Sequence, residues 1–220
     1  MICAVACGWL GKKIERKRKE LDAAEAILRS GGSVWYDYQM EHGNEKPPGP
    51  DWLRGLLGEN FFSEVENVQF GSPGTTVSDD AMAKLKELVE LKTLYLANTK
   101  FSEASLVNLE ALTHLQELSL GMTEVTDTGL EHLKRLTELK SLYLYQTGVT
   151  DSGLASLKGL TKLQNLDLRM TKISDAGLSN LKGLMSLQTL DLGLTDVSDA
   201  AIADLRKALS RCSFQWGRLW

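Results

Sequence analysis

Between residues 88 and 207 one 24-residue pattern occurs five times, and this constrains the fold more than any other property of the chain. Leu88, Leu112, Leu136, Leu160 and Leu184 open the units. A typical unit runs Leu160, Leu163, Leu166, Leu168, Thr171, Ile173, Ser174, Asp175, Gly177, Leu178, Leu181. In Leu163-x-x-Leu166-x-Leu168 the last two leucines alternate with polar residues, the period of a strand with one buried face. Thr171-x-Ile173 leads the chain out of the strand. Ser174-Asp175 reads as a helix start, with a hydroxyl at the cap and an acid near the positive end of the helix dipole. Leu178 and Leu181 share one face of the short helix that follows. A unit this small cannot bury its leucines alone, and a fixed period in the twenties marks a stacked solenoid. The expected fold is therefore an α/β solenoid with a parallel concave sheet and short outer helices.

The flanks read as caps. Val65-x-x-Val68-x-Phe70, followed by Val77, Ser78, Asp79, Met82 and Leu85, is a degenerate first repeat with two extra residues in 71–76. Repeats thus span 65–207. Before them, 12–32 reads as a charged helix ended by Gly31-Gly32, and 33–64 as a capping module. That module holds a strand at Val34–Tyr38, a proline-rich loop, and a helix capped by Asp51 through Trp52, Leu53, Leu56 and Leu57. Its aromatics would cover the open end of the solenoid. Residues 208–220 are expected to close the other end with Leu209, Cys212, Phe214 and Trp216.

These units resemble the leucine-rich repeat family in its L-x-x-L-x-L-x-x-T-x-[VI]-[ST]-D-x-G-L-x-x-L form. That form occurs in bacterial, notably planctomycete, repeat proteins and in the repeat portion of F-box-type receptors. The resemblance covers about half of the chain. It implies a horseshoe arc with an N-terminal capping module, and a non-enzymatic scaffold that binds a protein. One departure is that Thr99, Thr123, Thr147, Thr171 and Thr195 stand where many members carry Asn or Cys. A hydroxyl makes fewer backbone bonds from turn to turn than an amide does, so a weaker inner ladder is expected.

The net charge of −4 hides an asymmetry: residues 12–19 hold six Lys/Arg against one Glu, leaving the repeat body acidic. An acidic body excludes a nucleic-acid footprint there. Residues 1–11 are apolar and uncharged, directly before the basic run. Ten apolar residues are too few to span a bilayer, and a signal peptide carries its charge first. Three readings stay open: the end of a longer transmembrane helix, an interfacial anchor, or a plain tail. The family's N-terminal spans and the basic flank together point to membrane association through residues 1–19, with a cytoplasmic repeat domain anchored to the inner membrane. Cys3, Cys7 and Cys212 form neither a disulfide framework nor a zinc spacing.

No nucleophile, phosphate loop or metal cluster stands out, so neither a catalytic residue nor a cofactor is expected. His42, His114 and His132 read as solvated surface residues. Glu103, Asp127, Asp151, Asp175 and Asp199 recur at the repeat period, and the helix dipole accounts for them without a metal. Function then falls to the concave face, where residues between the strand leucines align in columns. Tyr95, Tyr143, Tyr145 and Arg169 supply residue types that dominate interfaces, and Asp167 and Asp191 add acidic selectivity for a basic partner. The expected partner is a protein. The alternative is a structural module of a larger assembly, with an F-box-type substrate receptor disfavoured because no F-box-like segment precedes the repeats.

Overall fold

A computed structural model describes residues 2–42, 46–71 and 73–217, the side chains of 2–10 and 40–42 apart. Helix α1 (Ile2–Arg29) leads into β1 (Gly32–Tyr36), α2 (Asp37–His42) and α3 (Asp51–Leu57). The array follows with β2 (Val65–Phe70), α4 (Asp79–Lys84), β3 (Thr93–Tyr95), β4 (Glu117–Ser119) and α5 (Asp127–Glu131). It continues through β5 (Ser141–Tyr143), β6 (Asn165–Asp167), β7 (Thr189–Gly193), α6 (Asp199–Ala208) and β8 (Ser213–Gly217).

All eight strands form one sheet in chain order. Only β1 runs antiparallel; β2 to β8 are parallel. Val68, Leu94, Leu118, Leu142, Leu166, Leu190 and Phe214 sit in one unbroken row of Cα partners. The repeat leucines are essentially inaccessible to water and form one continuous core with Val77, Val125, Val149 and Ile173. Residues 208–220, expected to act as an end cap, thus contribute a full seventh parallel strand, with Phe214 and Trp216 in the places of Leu190 and Leu192. Arg206 lies 5.5 and 5.4 Å from their ring centroids and roofs them.

The outer layer is tighter than expected. Leu85–Glu87, Glu103–Ala111, Gly153–Leu157 and Gly177–Leu181 are 3-10 helices, and only α4, α5 and α6 are α-helical.

Glu103, Asp127 and Asp199 stand in the first turns of their helices, where an acid answers the dipole. The first four acids of the row also reach forward to the next turn, each accepting both the backbone N–H and the hydroxyl of its Ser or Thr. Asp127 takes Thr150 at 2.8 and 2.6 Å, Asp151 takes Ser174 at 2.8 and 2.6 Å, and Asp175 takes Ser198 at 2.7 and 2.7 Å. Glu103 does the same for Thr126. These bonds hold the carboxyl of Asp175 below its ordinary range. At the end of the row, Asp199 accepts the indole N–H of Trp216 at 2.7 Å. The glycine of the motif follows from the clamp: a Cβ on Gly153 would overlap the Asp127 carboxylate, and one on Gly177 that of Asp151.

The threonines also differ from expectation. Thr99, Thr123, Thr147, Thr171 and Thr195 donate their hydroxyls to the strand leucine three residues back, at 2.5–2.7 Å. They close their own turn rather than bridge two.

The charged helix and the apolar segment before it are one helix, α1, of 28 residues. Its C-terminal half packs on the first turns through Ala23, Ala26 and Ile27. Among the described residues no helix is long and apolar enough to cross a membrane. Lys17, part of the basic run, is buried: its ammonium bonds both oxygens of Glu20 at 2.9 and 2.8 Å, Glu64 at 3.0 Å, and the Ser63 carbonyl. Burial, reinforced by Glu64, pushes the Glu20 carboxyl up to about 7. Glu64 moves the other way: burial raises it, but bonds from Glu20 and Lys17 outweigh that.

In the capping module the strand ends at Tyr36, and Asp37 and Tyr38 already belong to α2. Pro50, not Asp51, holds the cap position of α3, and Asp51 instead pairs with Arg54. Tyr36 and Phe61 are buried as a cap requires, whereas Trp52 and Leu56 face solvent. His132 is partnered, with its Nδ1 2.8 Å from Glu110, while the side chains of His42, Cys3 and Cys7 lie outside the described residues.

Two stability measurements check this account. Asp127→Ala should cost about 1–3 kcal/mol, and Gly153→Ala should also destabilise. In urea unfolding their effects should be clearly non-additive, because removing the carboxylate frees room for the methyl. Lys17→Met leaves the buried Glu20 carboxyl without its cation, Glu64 keeping Arg16, and should cost about 3–5 kcal/mol. Glu20, with its folded pKa raised, contributes stability that is full below its ordinary 4.5 and fades as pH rises through about 7. The Lys17→Met loss should therefore be larger at pH 8 than at pH 5.

Candidate protein-binding surface

Side chains between the buried strand leucines point away from the core and tile the concave face at the roughly 4.8 Å spacing of parallel strands. Tyr95, Ser119, Tyr143, Asp167, Asp191 and Gln215 are successive partners in one column. Two positions on lie Ala97, Gly121, Tyr145, Arg169, Gly193 and Gly217.

Four of the six expected residues form one connected group. Arg169 donates to both oxygens of Asp167, Nε at 3.0 Å to one and Nη2 at 2.7 Å to the other. Its Nε also lies 3.2 Å from Asp191. The guanidinium carbon sits 5.7 Å from the Tyr145 ring centroid. Asp167 accepts the Arg169 backbone N–H, and Asp191 that of Gly193, each at 3.0 Å. The hydrogen bonds that Arg169 donates to Asp167 raise its own pKa still further. The two acids fix a guanidinium beside an aromatic ring and leave one negative charge over in the group. Tyr143 stands between Ser119 and Asp167 on the neighbouring strands. Tyr95 lies two strands off, where burial and its bond to Glu117 push its hydroxyl up to about 12.

Tyr145 leans over the preceding strand, and the position beneath it must be glycine, since a Cβ on Gly121 would overlap the ring. The ring divides two hollows on the margin of the face. The larger, about 500 Å³, lies between Tyr145, Arg169, Met170, Asp191, Leu194, Gln215 and Trp216. The smaller, about 280 Å³, holds Tyr95, Asn98 and Met122.

Gln215 and Trp216 did not stand out in the chain as site residues. A signal existed for Trp216, which lies 24 residues after Leu192. Met170 and Leu194 belong to a row that also holds Asn98, Met122 and Gln146. All five have φ between 54° and 58°. The left-handed backbone aims each N–H at the next strand, as from Met122 to the Tyr145 carbonyl at 2.8 Å and from Met170 to that of Gly193 at 2.9 Å. For residues other than Gly, Asn or Asp this conformation costs about 1–2 kcal/mol.

Cys212 is half buried, and burial pushes its thiol up to about 11.

A leucine-rich repeat sequence profile matches at residues 111–134 and 159–182, each a single turn of this array. The fold is a leucine-rich repeat solenoid. The array is similar to an internalin of Listeria monocytogenes, with 25% identity over 60% of this chain and 36% of that one, at a TM-score of 0.53. Internalin C2 of the same organism is 26% identical, covering 69% of this chain and 61% of that one, at a TM-score of 0.57. A leucine-rich repeat protein of Leptospira interrogans shares the fold at 18% identity and a TM-score of 0.50, over 77% of this chain and 52% of its own length. The chain thus spans less than two thirds of each of these proteins. No curated protein matches it in sequence.

Gly121→Ala should displace Tyr145 while leaving the leucine-rich repeat core intact. Near-ultraviolet circular dichroism should change in the tyrosine region with an unaltered far-ultraviolet spectrum. The thermal midpoint should fall by only a few degrees, as expected for a loss of about 1 kcal/mol in a chain of this size.

Proposed function

We propose that this chain is a non-enzymatic binding module that takes a basic segment of a protein partner on its concave face. The observation that carries the reading is Arg169, held by Asp167 and Asp191 beside the Tyr145 ring, with Tyr143 in register one strand from Asp167. Tyrosine and arginine in a pre-organised setting lose little freedom on binding, which is why they dominate interface energetics. Around the cluster, the two carboxylates of Asp167 and Asp191 stand against the single guanidinium of Arg169. A cationic partner is therefore favoured and an acidic one repelled. An open sheet also lacks the water-excluding pocket that enzymatic chemistry needs.

The apolar start of α1 followed by its basic run supports a second element, a tether that holds the module at the cytoplasmic surface of an anionic membrane. Sedimentation with anionic lipid vesicles should carry the full chain down at low salt and release it at high salt. Sedimentation that ignores salt and lipid charge would exclude an electrostatic tether.

For the concave face, the decisive measurement is binding kinetics on a partner segment. Tyr143→Ala should speed dissociation about tenfold, corresponding to roughly 1.4 kcal/mol. Asp167→Asn with Asp191→Asn should slow association at low salt. If both variants bind as the parent does, the concave face is not the working surface.

A further inference from the structure

Of the five large apolar side chains exposed among the described residues 65–217, three share the left-handed row: Met122, Met170 and Leu194. The other two, Val107 and Met185, are scattered on the outer side. The row carries two independent penalties at the same positions. Its φ of 56–58° suits glycine or asparagine, and Asn98 shows that the array accepts asparagine there. Its side chains also leave 48% of Met170 and 39% of Leu194 in water. The turn's hydrogen bond uses the backbone N–H and calls for no apolar side chain at Met122, Met170 or Leu194. The exposure penalty is relieved when another apolar group covers those side chains.

Met170 and Leu194 form the apolar wall of the 500 Å³ hollow, with Tyr145 and Trp216 at its ends. On the concave side the same hollow is bounded by Arg169 and Asp191. Arg169 is already shared between two carboxylates, so the charge left over on that rim is negative.

We propose that this hollow is the anchoring subsite for a single aromatic or long aliphatic side chain of a partner segment that carries a lysine or arginine within a few residues, the cation meeting Asp191 on its rim. The proposal rests on the concave-face reading and narrows it to a partner of stated chemistry. Charge complementarity selects a basic protein segment over an acidic one, and the apolar wall selects against a wholly polar one.

The test is selection of a random peptide library displayed on phage against the full chain, followed by titration of synthetic winners. Enrichment of an aromatic or long aliphatic residue close to Lys or Arg is expected. Leu194→Glu should weaken the winners at least tenfold, with an unchanged far-ultraviolet circular dichroism spectrum. Leu194→Asn should raise the thermal midpoint, because asparagine tolerates the left-handed backbone, and should also weaken binding. A residue that merely shapes the turn would not move the two readouts in opposite senses. Enrichment of acidic or wholly polar peptides would overturn the proposal, as would winners that bind Leu194→Asn and Leu194→Glu like the parent. Winners lost on Tyr143→Ala but indifferent to position 194 would leave the concave-face reading standing and remove this subsite. Enrichment of nothing at all would count against both. Self-association of the parent that Leu194→Asn abolishes would make a second copy the occupant and overturn the peptide assignment.

Discussion

Leu118 is out of water only because Leu94 and Leu142 lie one strand away on either side of it, in direct register. The same dependence holds for each turn of the array, so the core belongs to the contacts between turns rather than to any turn. Everything else on the chain serves that alignment. The strand bonds hold the leucine row on the concave side, and the carboxylate clamps hold the other side, with Asp127, Asp151 and Asp175 each gripping the turn that follows. The glycines at 153 and 177 exist to let the carboxylates in. At the two ends, α1 and the Arg206 layer stand where a further turn would otherwise be needed.

Much of this was legible because leucine spacing and strand period are simple and strong. The column that pairs Tyr143 with Asp167, and the approach of Arg169 to Tyr145, follow from counting 24 residues. What remained hidden has physical reasons. β8 satisfies the same count, but aromatics in place of leucines make it read as a cap. The acids were given to the helix dipole because a carboxylate after a hydroxyl is also a helix-start signal; only the folded turn reveals that its nearest donors belong to the next repeat. Nothing in the letters Met122, Met170 or Leu194 announces a left-handed backbone, which those residue types normally avoid. Lys17 sits in a run of cations, and a run reads as solvated until one member is seen between two carboxylates.

The site differs in kind from the scaffold beneath it. In the core all turns are interchangeable: leucine meets leucine from β3 to β7. On the concave surface no two strands present the same chemistry, and the polar group that joins Arg169 to Asp167 and Asp191 occurs once. A uniform frame thus displays a non-uniform surface, with the energetic burden of folding carried by residues that a partner never touches.

That contrast gives the column Tyr95, Ser119, Tyr143, Asp167, Asp191 the character of an address. Its letters stand at a fixed pitch of about 4.8 Å, and the clamps on the opposite side keep that pitch from stretching. A partner that slid by one strand would meet Ser119 or Asp167 where Tyr143 should be, exchanging an aromatic face for a hydroxyl or a carboxylate already engaged by Arg169. On a repetitive surface such a slip would leave the contacts unchanged. Here mis-registration by a single rung is chemically visible, so a partner bound as proposed would be held in one register along the array.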